Sequence, residues 1–230
     1  MPFFRDVFGI RDAESDSSFG HMLAFAQDVS AKNPDALNDV MRLFLRPLQT
    51  ELLVSSAFSA MHSALDAVRP VGFFTPDDPQ SLGSYAACPR LPPSNFQVVL
   101  SRDPVLACPW RRNRYSNAVA DIGSGKSLGS WKSDSNHQVI VLLPWGIAFV
   151  AGGNHSIAAG ILSAEGSVEP AEVWDLSSWL TSFNTDGRFY FNKATGEPIC
   201  IVTDPVRAAI FEVGRLMLAH DVVPMLTKNS

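Results

Sequence analysis

Cysteine is scarce in this chain and awkwardly placed. The three present, Cys88, Cys108 and Cys200, lie far apart and lack the paired spacing of a metal knuckle. An odd, scattered set excludes a disulfide framework or a zinc ribbon as the organising device and reads as reduced thiols in a cytoplasm. Charge is sparse too: 18% of residues are charged, with a net −5, which excludes a protein that coats nucleic acid through bulk positive charge. No apolar run approaches the roughly 20 residues of a membrane span. The opening MPFFRDVFGIRD lacks the basic-then-apolar order of an export signal. Repeats and low-complexity tracts are absent as well. These absences lead us to expect a cytoplasmic protein with no membrane insertion. What is present is 46% hydrophobic residues over 230 positions, enough for a full core.

The spacing divides that material into a helical part, residues 1–70, and a mixed α+β part, residues 71–230. Residues 1–18 read as a flexible entry. Phe19, Met22, Leu23, Phe25 and Ala26 share a helical face. Asn33-Pro34-Asp35 reads as cap and first turn of a second helix, which Pro47 ends or bends. Leu48 to Val68 reads as a third, with His62 structural and the methionines core filler. Beyond Arg69-Pro70 the pattern predicts short strands at Val71–Phe74 and Phe96–Leu100, strands over Gln138–Leu143 and Ile147–Ala151, and a helix within Glu169–Thr181. A hairpin follows around Ala194-Thr195-Gly196-Glu197, and a final helix opens at Asp204-Pro205.

The chemistry gathers at Pro144 to Ile161, PWGIAFVAGGNHSIAAGI. A buried strand runs into Gly152-Gly153-Asn154-His155-Ser156 and on into an alanine-rich helix. Glycines at such a turn let backbone approach a ligand, and the first N–H groups of the helix suit an anion, above all a phosphate. Asn154, His155 and Ser156 add an amide, an imidazole and a hydroxyl at the same place. The same residues equally suit a tight turn with no ligand.

Two neighbouring stretches carry further polar groups. Pro109 to Lys126 sets Arg111, Arg112 and Arg114 beside Trp110 and Tyr115, a pattern for phosphate and base or for a solvated basic turn. The loop Leu128 to His137 holds Lys132, Asp134, Asn136 and His137. Asp134 and His137 read either as a divalent-metal or proton-transfer pair or as a capped turn. Gly123-Ser124-Gly125-Lys126-Ser127 imitates the end of a P-loop but is rejected, because no buried strand precedes it and no helix pattern follows.

The order of arginine-bearing loop, short helix, strand, strand, Gly152-Gly153-Asn154-His155-Ser156 and alanine-rich helix resembles the ParB/sulfiredoxin superfamily, over about Val98 to Leu162. That resemblance implies a mixed sheet with flanking helices, plus an N-terminal helical extension, and a nucleotide, ATP or CTP with Mg2+, whose phosphates sit at Gly152, Gly153, Asn154 and Ser156. Asn154 stands where sulfiredoxins place a catalytic cysteine, which removes sulfinic-acid repair. Ser156 replaces a phosphate-clamping arginine, so that Arg111, Arg112, Arg114 and Lys132 would supply the charge. No helix-turn-helix follows the motif. The overall plan is most similar to the plasmid fertility-inhibition branch. It implies an ATPase and DNA nuclease that blocks conjugative transfer, with His155 as acid or base and Asp134 with His137 holding the metal. The rival expectation is a non-catalytic nucleotide- or protein-binding regulator that docks on a transfer or secretion component.

Overall fold

Residues 15–58 and 68–228 are described in the computed structural model. Along the chain, helix α1 covers Ser15–Lys32 and α2 Leu37–Phe58. Asn33 caps the short turn between them by accepting the Asp35 N–H at 3.2 Å. Strands β1 (Arg90–Leu91), β2 (Val98–Val99) and β3 (Val105–Leu106) precede α3 (Arg112–Asp121). Then come β4 (Val139–Leu143), β5 (Ile147–Val150), α4 (Asn154–Leu162), β6 (Ser167–Val168) and β7 (Glu172–Asp175). Helix α5 (Ser177–Ser182), the meander β8 (Phe183–Thr185), β9 (Phe189–Asn192) and β10 (Pro198–Ile201), and α6 (Pro205–Ala219) complete the α+β fold. No helix among the described residues is long and apolar enough to cross a membrane.

These elements sort into two compact units that do not divide at residue 70. One gathers residues 1–44, 71–88 and 176–223, the other 45–70, 89–175 and 224–230. The helical N-terminal residues share their unit with elements from the far end of the chain. Thus α1 packs on α6, and Phe19, 6% exposed, fills the space over Gly187. The first unit's core is aromatic: Phe74, Tyr190 and Phe211 meet edge to face, and the Tyr190 hydroxyl donates to the Phe74 carbonyl at 3.2 Å. Asp204 caps α6 by accepting the N–H groups of Val206 and Arg207, as the Asp-Pro pair predicts.

The second unit is built on a five-stranded mixed sheet in the order β1-β7-β4-β5-β3. Strands β4 and β5 form an antiparallel hairpin, while β3 runs parallel to β5 and β7 parallel to β4. Period-2 alternation puts Val139, Val141 and Leu143 on one face, where they meet Ile157 and Ala158 of α4 in an apolar cluster. From α2, Leu53 joins that cluster and Gln49 donates to the Val105 carbonyl at 3.0 Å.

Several expectations are corrected. Pro47 lies inside one continuous helix rather than between two. The segment Val71–Phe74 forms turns, not a strand. Glu169–Thr181 is not one helix: Glu172–Asp175 is a strand paired with β4, and the helix begins at Ser177. His62, and the part of the Leu48–Val68 stripe over 59–67, lie outside the described residues, as do most of the N-terminal 18.

Candidate phosphate site at paired helix starts

The carboxyl ends of adjacent parallel strands are where ligands settle in sheets flanked by helices. Here β3 and β5 end on the same edge. Each feeds a helix, α3 through Ala107 to Arg111 and α4 through Ala151 to Gly153, and the two helices pack together. Two hydrogen bonds tie their starts. Asn154 Oδ1 accepts the Cys108 N–H at 2.7 Å, and His155 Nε2 accepts the Arg111 N–H at 3.1 Å. The amide and imidazole of the motif thus fasten one helix start to the other, and the accepting Nε2 leaves the His155 proton on Nδ1.

Neither helix start has a side-chain cap. The first-turn N–H groups of Arg112, Asn113 and Arg114, and of Asn154, His155 and Ser156, have no carbonyl one turn back to receive them, and no acceptor for them occurs among the described residues. Arg111, Arg112 and Arg114 are exposed and make no ion pair among the described residues. A helix start is already the positive end of the dipole and favours acidic residues by about 0.3–1 kcal/mol each. Yet α3 has no acidic residue in its first turn. Concentrating guanidinium groups there is locally unfavourable, and a bound anion would relieve it.

Trp110 sits among these cations. The Arg111 guanidinium lies over its ring, 4.2 Å from the centroid, with Arg114 at 6.0 Å and the His155 ring at 5.7 Å. Tyr115, expected as a possible base platform, is only 6% exposed and belongs to the core.

The other half of the expected site forms a turn of its own. His137, 5% exposed, accepts the Asp134 N–H on Nδ1 at 2.9 Å, and its ring lies 4.7 Å from that of Trp131. The exposed Asp134 turns back to accept the Asn136 N–H at 2.8 Å. This is a closed turn with one engaged imidazole nitrogen and one carboxylate. No group of three His, Cys, Asp or Glu side chains is arranged for a metal among the described residues. Mg2+ takes oxygen ligands in near-octahedral order, of which the Asp134 carboxylate is one and the His137 imidazole is not. Lys132 is exposed and outside the paired helix starts.

The glycines are explained by this same turn. A Cβ on Gly152 would lie 2.7 Å from the Asn136 carbonyl oxygen, and one on Gly153 would lie 2.5 Å from His137 Cδ2. Gly153 also adopts φ +75. Their small size admits the buttressing loop on one side while the helix N–H groups stay open on the other. Lys126, the lysine of the rejected P-loop, donates to the Val119 carbonyl at 2.7 Å and so closes the end of α3.

Trp131 is the residue that sequence reasoning passed over. It is 6% exposed within a polar loop, and its Nε1–H donates to the Ser156 carbonyl at 2.8 Å. Glu165 holds the loop by accepting the N–H groups of Ser124 and Trp131. The available signal was distant: Gly160 and Gly166 leave the space that the indole fills.

Burial chiefly, with Arg114 next, lowers the His155 pKa from its ordinary 6.5, and burial lowers that of His137 against the opposing pull of Asp134. Both shifts favour the neutral imidazole in the fold. Below the ordinary value the unfolded chain binds more protons than the folded one, so stability falls as pH drops. The unfolding midpoint should therefore fall between about pH 7 and pH 5.5. His155→Gln, whose Oε1 can accept the Arg111 N–H without titrating, should show a shallower fall. An unchanged slope in that variant would remove His155 from the effect.

A family model described as a family of unknown function (DUF6710) matches residues 9–223. No curated protein and no solved structure matches the chain.

Proposed function

We propose a function for this chain, which belongs to that family of unknown function, from its own residues: it binds a nucleotide through the phosphates, at the paired starts of α3 and α4. The observation that supports this reading is the exposed Arg111, Arg112 and Arg114, which make no ion pair among the described residues, at an uncapped helix start, beside a second uncapped start. Charge of that sign is placed against the helix dipole, inside a chain of net −5. The arginine forks and first-turn N–H groups would hold phosphate oxygens. His155, neutral and protonated on Nδ1, would donate one further hydrogen bond.

Membership of the ParB/sulfiredoxin superfamily, which rests on the motif, and a role in fertility inhibition, which rests on the overall plan, belong to the same proposal. In that setting ATP or DNA would be a substrate. A base needs a free lone pair within reach of the proton it takes. His155 Nε2 and His137 Nδ1 both already accept backbone N–H groups. This favours binding without turnover, the mode of a regulator that docks on another component when its nucleotide is present.

Calorimetry with ATP and CTP, with and without Mg2+, tests the reading. Wild type should bind, and Arg112→Glu/Arg114→Glu should bind at least tenfold more weakly while unfolding at the same or a higher midpoint, because the new carboxylates suit the helix start. Equal affinity in the double variant would end the assignment. ATP or DNA turnover abolished by His155→Gln would restore the hydrolase.

A further inference from the structure

The ring that the sequence offers for stacking a base is already engaged. The Arg111 guanidinium lies 4.2 Å from the centroid of Trp110, within the range of a cation–π contact. Arg114 and His155 lie close by, at 6.0 and 5.7 Å. Tyr115, the second aromatic of the stretch, is in the core. A base that stacked on the Arg111 face of Trp110 would have to displace the guanidinium and give up its charge to the site. The phosphate would then lose one of its binding groups.

We infer that the site reads phosphate and not base. Trp110 is a positioning residue: its face holds the Arg111 guanidinium in place, so that its fork meets a phosphate with less rotamer freedom left to lose. The ligand class is accordingly a polyphosphate end, whether or not a nucleoside is attached. This inference rests on the phosphate-binding reading above and narrows it.

Competition on the full chain separates the two. Sodium tripolyphosphate, ATP, CTP and GTP should bind within about threefold of one another. Trp110→Phe, which keeps an aromatic face, should bind all four nearly as wild type does. Trp110→Leu should weaken all four by a similar factor, about tenfold for one well-oriented charged contact, with an unchanged circular dichroism spectrum. A nucleotide that binds at least tenfold more tightly than tripolyphosphate, with the advantage lost in Trp110→Leu, would show that Trp110 stacks a base and would overturn the inference while leaving the phosphate site standing. Failure of all four to bind wild type would overturn both.

Discussion

Replacing Trp131 with alanine is expected to destabilise the sheet unit by roughly 3–5 kcal/mol, the usual cost of emptying a buried aromatic site. Against a typical total of about 5–15 kcal/mol, that loss moves the unfolding midpoint far enough to threaten folding at growth temperature. The size of the effect follows from how completely the neighbours commit to the indole. Gly160 and Gly166 have no side chain with which to refill the space, and a Cβ on Gly160 would already lie 2.9 Å from Trp131 Cδ1. The rest of α4 beneath it, Ile157 to Gly160, is buried and fixed by the sheet. The cavity therefore has little means of collapse.

Two polar consequences add to the void. The Ser156 carbonyl loses the Nε1–H donor at 2.8 Å, and His137 loses the ring against which it lies. Trp131→Phe separates packing from polarity, since it keeps a ring and drops the N–H. It should cost much less than the alanine change, with about 1 kcal/mol from the hydrogen bond. Denaturant midpoints check both variants. An alanine variant as stable as wild type would mean that the loop, not the indole, seals α4.

The fold was legible wherever a period ran long enough to show. The apolar strand read over Gln138 to Leu143, the strand from Ile147 into Gly152-Gly153, the hairpin around Gly196 and the Asp-Pro start of α6 all stand in the structure. Strands β1, β2, β3 and β6 are each two residues long. No period can be read in so few: β1 and β3 pair at the edges of the five-stranded sheet, β6 pairs with β2, and of the four only β2 lies in a stretch, Phe96–Leu100, that reads as a strand. Val173, Trp174, Leu176, Trp179 and Leu180 satisfy helical spacing, yet parallel pairing with β4 wins over Glu172–Asp175. Pro47 lacks the N–H of a helix interior, and tertiary packing carries α2 through it.

The candidate site was legible as a list of residues and not as an arrangement. Asn154, His155 and the arginines do meet, but through backbone N–H groups of Cys108 and Arg111 that no spacing rule points to. Asp134 and His137 look the same in sequence whether they bind a metal or close a turn. The structure shows the turn, because each already has a backbone N–H partner.

Gly153→Ala is expected to be the most damaging single methyl group in the site. The left-handed φ of +75 alone costs a non-glycine residue about 1–2 kcal/mol. Gly125, with φ +78 and nothing within 4 Å of a built Cβ, is the control that isolates this cost. At Gly153 the added carbon also meets His137 Cδ2 at 2.5 Å and the Asn136 carbonyl at 3.1 Å. Neither can retreat easily: the His137 ring is packed on Trp131, and the loop is pinned where Ala151 and Gly152 donate to the Gln138 carbonyl at 2.9 and 3.1 Å. Overpacking of this kind adds about 1–3 kcal/mol, so Gly153→Ala should cost clearly more than Gly125→Ala. Moving the turn also moves the first N–H groups of α4, so affinity for tripolyphosphate should fall at least tenfold. A double-mutant cycle with His137→Ala supplies the decisive comparison. With the ring gone, Gly153→Ala should cost little more than the Gly125 control, a coupling of order 1 kcal/mol. Additive costs would mean that His137 is not what holds Gly153 without a side chain. The glycine would then answer to the Asn136 backbone alone.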